Sequence, residues 1–286
     1  MAERLQEFLE TEELAQPMIV GRGVLPAQGK MIIGGAPKSN KSFLALNMAL
    51  DLAMGQPLFC ATYVNKTPVF PVYGPKRVLY LDQELGNHGA KKRLRSMIDA
   101  AKINPTPLDF YIKTKHSDMR LDTEPGRAAL AEEISESKPD VLFLDPLAKF
   151  HLVDENSAQH MGAVMRIIDR WIQTFGCSVV IIHHTALAAL DPTMHRRGGA
   201  KLRGSSAVFA DTDTFLDVQR ESSAAVKEPL LKLNFELRQS EPIEPIRVKR
   251  LRSGLITFLQ EGDRAEQRAE KPRETEWIVE TPYGSI

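Results

Sequence analysis

The chain has 286 residues, enough to bury a full core as one large α/β domain or two small ones. Its 37 lysines and arginines balance 37 aspartates and glutamates, which excludes a uniformly basic nucleic-acid binder and leaves only local basic patches for that role. Two distant cysteines, Cys60 and Cys177, exclude a zinc-ligand spacing and a disulfide framework. The acidic start lacks a signal-peptide core and no apolar run reaches membrane-span length, so a cytoplasmic protein without membrane contact is expected.

Residues 1–20 carry helical spacing (Leu5, Phe8, Leu9, Leu14) among many carboxylates, and read as an arm or interface helix. Lys30 to Gly35 reads as a buried strand. Ser42 to Met54 follows as a helix with Phe43, Leu46, Ala49, Leu50 and Ala53 on one face. Gly55 to Lys76 is rich in Pro and Gly, a loop or hairpin insertion. A strand at Arg77–Leu81, a basic helix at His88–Ala101, a short strand at Phe110–Lys113 and a helix at Arg127–Ser137 come next. They are followed by a strand at Val141–Leu144, an amphipathic helix at Ser157–Phe175 and a strand at Cys177–Ile182. This alternation predicts a mostly parallel α/β sheet flanked by helices. Beyond Thr212, strands at Thr214–Gln219, Leu230–Leu237, Ile246–Leu251 and Leu255–Leu259 are spaced to extend one edge antiparallel. A main domain over 21–260 and a charged tail over 261–286, either mobile or docked through Trp277, Ile278 and Tyr283, complete the division.

The chemistry concentrates at strand ends. Gly35-Ala36-Pro37-Lys38-Ser39-Asn40-Lys41-Ser42 nearly matches the phosphate-binding loop G-x-x-x-x-G-K-[S/T]. Backbone N–H groups of such a loop surround nucleotide phosphates, its lysine neutralises the outer phosphates and its hydroxyl ligates Mg²⁺. Asn40 stands where glycine is usual, but asparagine tolerates the left-handed backbone that the position needs. Lys38 either reaches the phosphates or is a solvated loop charge. Asp145, closing V-L-F-L-D, is placed to hold the Mg²⁺ hydration shell; the plainer role is a turn or cap. Asp82 and Glu84 in L-D-Q-E-L compete on spacing alone for the carboxylate that polarises an attacking water. His183 and His184 end the fourth strand on opposite faces, a poor metal pair; either one senses a γ-phosphate or both are held by backbone partners. The segment from Ala186 to Arg203 gathers Arg196, Arg197 and Lys201 with two glycines, a loop fit to track a phosphate backbone or simply a surface loop. Arg247, Lys249, Arg250 and Arg252 form a second cationic cluster.

Taken in order, G-A-P-K-S-N-K-S, L-Y-L-D-Q-E, V-L-F-L-D-P-L-A-K-F-H, V-V-I-I-H-H-T and L-R-G-S-S-A-V-F-A-D-T-D resemble the RecA-like ATPase core, and most closely the ring-forming plasmid replication helicases of the RepA type, within the DnaB-like superfamily. The resemblance spans roughly Gly29 to Gly254. It implies a RecA-like fold, ATP and Mg²⁺ as cofactors, Lys41 on the phosphates, and Ser42 with Asp145 on the metal. It makes Glu84 the catalytic base and gives His183 or His184 the coupling of γ-phosphate to a DNA loop holding single-stranded DNA. A neighbouring subunit is implied to supply an arginine; Arg203 in L-R-G-S-S matches one such position and Arg238 in E-L-R-Q-S-E-P lies near another. The expected assembly is a ring, a hexamer, served by a replication initiator or a separate primase. Two other readings stand beside it: a RecA- or KaiC-like recombination or regulatory ATPase that does not unwind, and a non-catalytic nucleic-acid-binding or assembly protein with a degraded loop.

Overall fold

A computed structural model of the chain describes residues 4–6, 16–59, 70–115, 119–184, 208–209, 212–223 and 225–259. Its centre is a nine-stranded sheet in the order β11-β10-β9-β8-β3-β7-β6-β4-β5. The parallel part consists of β3 (Lys30–Gly34), β4 (Val78–Asp82), β5 (Phe110–Thr114), β6 (Val141–Asp145), β7 (Ser178–Ile182) and β8 (Thr214–Arg220). Then β9 (Leu230–Leu237), β10 (Ile246–Arg250) and β11 (Ile256–Phe258) add antiparallel neighbours beyond β8. The expected fold class, a RecA-like parallel sheet with antiparallel strands at the C-terminal edge, is the one observed.

Strands β3, β4, β6 and β7 are buried on both faces, which explains their unbroken apolar runs. Helices α1 (Lys41–Met54) and α2 (Asn87–Ala101) cover one face; α3 (Glu124–Ser137) and α4 (Ala158–Phe175) cover the other. α1 is buried almost all round, because the 251–255 turn closes over its outer side: Asn47 Nδ2 donates to the Gly254 carbonyl and Asn47 Oδ1 accepts from the Ile256 amide. α3 begins three residues before the expected Arg127. Thr123 accepts from the Gly126 amide and Pro125 occupies the first turn, so capping extends the helix past its apolar pattern.

One expectation fails at the start. Met18–Val20 is a strand, β1, paired with β2 (Leu25–Pro26), not the end of a helix; Val20 is fully buried. Pro17 lacks the amide a helix needs there and Ile19-Val20 favours extended backbone. Phe8, Leu9, Leu14, the 60–69 part of the Gly55–Lys76 insertion and the tail with Trp277, Ile278 and Tyr283 lie outside the described residues. Among the described residues, no helix is long and apolar enough to cross a membrane.

Asp51, on α1, is buried; its carboxylate accepts the Phe59 amide at 2.9 Å, and burial pushes it up to about 8. The folded protein therefore favours the neutral acid. The stability this group contributes is complete below the unfolded-state value near 4 and is lost as pH rises through about 8. An asparagine in its place would keep the acceptor without a charge to bury. D51N is expected to match wild type in thermal midpoint near pH 5 and to exceed it by several degrees at about pH 9; equal midpoints at both pH values would refute this assignment.

Candidate active site

The loop between β3 and α1 is built by local backbone demands. Gly35 has φ of 154°, and a Cβ there would meet the Val218 carbonyl oxygen at 2.5 Å and Ser39 Oγ at 2.8 Å, so only glycine fits against β8. Lys38 and Asn40 are left-handed, at φ 62° and 73°. Asn40 thus takes the conformation for which glycine is usual, and its side chain makes no capping bond to α1.

Lys41 is 5 % exposed and its Nζ donates to the carbonyls of Gly35 and Ala36, both at 2.8 Å. Burial pushes its ammonium down to about 8, against the opposing pull of Asp145, Glu84 and Asp217. It remains mostly charged at neutral pH. Ser42 Oγ donates to Asp145 Oδ1 at 3.1 Å. Asp145 is itself buried, and burial raises it to about 6, opposed by hydrogen bonds from Tyr80 and Ser42 and reinforced by Asp82 and Glu84. α1 and the ends of β3 and β6 therefore bring Lys41, Ser42 and Asp145 together, although Ser42 and Asp145 are 103 residues apart in the chain.

Asp82 and Glu84 are separated by geometry. Asp82 is buried and its Oδ1 accepts the amides of Glu84 (2.9 Å) and Leu85 (2.7 Å), which ties it into its own turn. Glu84 is exposed and acts electrostatically on Lys41, Asp145 and His184, so it is the carboxylate free to face the site. The histidines divide likewise. His183 is fully buried and its amide donates to the Ile33 carbonyl. His184 is half-buried; burial, helped by Lys41 and His183, pushes it down to about 4, so its imidazole is neutral at neutral pH.

Arg238 stands elsewhere. It follows Leu237, which pairs with Thr214, and Thr214 pairs with Met31 near the start of β3. The phosphate-type loop leaves the other end of β3, roughly 15 Å away at strand rise. Arg238 is exposed at that far end. Arg203, Arg196, Arg197 and Lys201 lie outside the described residues. Three of the four cations of the second cluster are engaged within the molecule: Arg247 pairs with Glu221 at 2.9 Å, Lys249 with Glu228 at 3.6 Å, and Arg250 lies over the Phe43 ring at 4.7 Å, while Arg252 is exposed.

Three participants carry no sequence signal of their own. Tyr80 donates to Asp145 on the adjacent strand, Asp217 on β8 acts electrostatically on Lys41, and Arg93 lies over the Phe43 ring at 4.1 Å. Strand pairing creates the first two and helix packing the third.

The donor set fits a triphosphate with a hard divalent cation. Ser39 Oγ and Asn40 Nδ2 are buried without a hydrogen-bond partner among the described residues, beside loop amides able to receive an anion. Ser42 and Asp145 offer oxygen ligands to Mg²⁺, too few to hold it alone, which suits an ion completed by phosphates and water.

A family model described as an AAA domain matches residues 3–189, well over half of the chain. The chain belongs to the AAA domain family. As a P-loop ATPase-family protein it has the RecA-like fold of two solved structures. One, described as an ATPase domain, matches at a TM-score of 0.59 and 12 % identity, over 82 % of this chain and 86 % of that one. The other, a DnaB-like replicative helicase described with its interactions with primase, matches at the same TM-score and identity over 82 % of this chain, which spans 58 % of that longer one. At this identity the likeness speaks for the fold.

Proposed function

We propose that the chain is an ATP-hydrolysing motor that assembles as a ring, a hexamer, and moves on single-stranded DNA as a replicative helicase of a plasmid, phage or other mobile element. One observation carries this reading: Lys41, Ser42, Asp145 and Glu84 converge at one end of the sheet while the exposed Arg238 stands at the other. Arg238 cannot approach its own copy's phosphates; a head-to-tail neighbour would bring it to them, and such contacts close into rings.

In this reading the amides of Gly35 to Ser42 and the Lys41 ammonium bind the β- and γ-phosphates. Ser42 and Asp145 would hold Mg²⁺, which when bound screens the phosphate charge. Glu84 takes the proton of the attacking water. Arg238, or Arg203, stabilises the charge that develops on the transferred phosphoryl group of the neighbouring copy. His184, neutral and next to Lys41 and Glu84, registers the γ-phosphate, with the buried His183 fixing the chain behind it. Directly beyond it the sequence leads to Arg196, Arg197 and Lys201, the DNA contacts of this reading. The motor covers 21–260 together with the β1 strand that packs onto it, the residues before β1 serve as an interface arm and 261–286 as a charged tail. A cytoplasmic setting, with a replication initiator or primase as partner, completes the proposal.

Single-stranded DNA is expected to stimulate ATP hydrolysis, with binding that weakens as salt rises. Neutralising Arg196, Arg197 and Lys201 together should flatten that salt slope by about three counterion equivalents. Hydrolysis indifferent to DNA would overturn the motor reading. Hydrolysis stimulated by DNA without strand displacement would move the protein to a recombination or regulatory ATPase.

A further inference from the structure

The Asp145 carboxylate is held by two hydroxyls, one on each oxygen. Oδ1 accepts from Ser42 at 3.1 Å; Oδ2 accepts from the Tyr80 hydroxyl at 2.5 Å. Tyr80 is fully buried, and its ring stacks on Phe143 with centroids 5.3 Å apart and planes at 18°. The sheet register explains the reach: Tyr80 pairs with Phe143 and Asp82 with Asp145, so all four point to the α1 face, and the hydroxyl crosses diagonally to the neighbouring strand. Packing fixes the ring, and the ring fixes where the hydroxyl sits.

We propose that Tyr80 is a positioning residue that reserves one oxygen of Asp145 for the metal side of the site. A free carboxylate turns about its Cβ–Cγ bond and presents either oxygen, or both, to a cation. With Oδ2 pinned to Tyr80, Oδ1 is the oxygen that faces Ser42 and the one that Asp145 would offer to a bound metal. The hydrogen bond also satisfies an oxygen that would otherwise be buried without a donor. Tyr80 needs no contact with nucleotide to do this; it acts through Asp145, as groups bonded to metal ligands do. The proposal rests on the nucleotide and Mg²⁺ reading above.

The test is Tyr80→Phe, which keeps the ring and its stacking on Phe143. Mn²⁺ binding in the presence of a fluorescent ATP analogue is followed by electron paramagnetic resonance, and analogue binding is measured in parallel with EDTA and across a Mg²⁺ titration. Y80F is expected to retain cooperative unfolding and metal-free analogue affinity, while the metal concentration for half-maximal binding rises about 10- to 100-fold. An unchanged metal requirement in Y80F, with normal metal dependence in wild type, overturns the positioning role alone. No metal-dependent analogue binding by wild type overturns the parent reading as well. A cycle with Asp145→Asn covers the case of a poorly folding Y80F: if Tyr80 acts through Asp145, the double variant binds metal no worse than D145N. Penalties that multiply would assign Tyr80 to packing instead.

Discussion

Lys41→Ala is expected to abolish nucleotide-supported stabilisation and to lower ATP hydrolysis by about a hundred- to a thousandfold, the scale on which a preorganised charge-stabilising donor is lost. The reason is visible before any nucleotide binds. Lys41 is a buried cation whose ammonium is already directed by the carbonyls of Gly35 and Ala36. Burial makes that charge costly and pushes the Lys41 ammonium down to about 8 despite the nearby carboxylates. A phosphate approaching the loop relieves it, so the lysine is poised for an anion. Alanine removes the charge and leaves the two carbonyls facing incoming phosphate oxygens. Thermal unfolding with and without ATP and Mg²⁺ is the measurement. Wild type saturated at about a hundred times its dissociation constant should gain about 2.7 kcal/mol, and K41A is expected to gain nothing. Equal ATP-induced shifts in the two proteins would remove the loop from the nucleotide site.

Glu84→Gln separates binding from chemistry. Glutamine keeps the shape and a hydrogen-bonding oxygen but cannot accept a proton, so ATP binding is expected to persist while turnover falls by about 10²- to 10⁴-fold. Asp82→Asn is the informative contrast. Asp82 is committed to the amides of Glu84 and Leu85, and the asparagine oxygen can still accept them. D82N is therefore expected to lose far less turnover than E84Q. The reverse order would transfer the base role to Asp82. The shared-site reading adds a further outcome: E84Q mixed with Arg238→Ala should recover part of the activity that each lacks alone. Mixed assemblies contain interfaces that pair a wild-type Glu84 with a neighbour's Arg238. Failure to recover would place the finger at Arg203 or exclude a shared site.

The fold was largely legible in the chain because a buried parallel sheet writes itself as apolar runs. V-L-Y-L, V-L-F-L and S-V-V-I-I fall in strands for that reason, and the Gly35 to Ser42 loop was legible because its backbone angles demand particular residues. Legibility ended where short-range pattern met long-range packing. Val20 reads as the end of an amphipathic stretch only if its partner strand is ignored. The Asp82–Glu84 ambiguity was real in one dimension, since two acids two residues apart carry the same propensity. The turn's own amides occupy Asp82 and leave Glu84 exposed, a difference that only the folded turn creates.

The sequence by itself determined the order of strands and helices, the phosphate-type loop and the acidic strand end at Asp145, because each is a local demand of periodicity, backbone angle or charge. Only the tertiary structure decided which groups meet. Strand order and register bring Tyr80, Asp145, Ser42 and Lys41 into one cluster and send Arg238 to the opposite end of the sheet. Hydrogen-bonded pairing between strands distant along the chain sets those distances, and no local pattern encodes them.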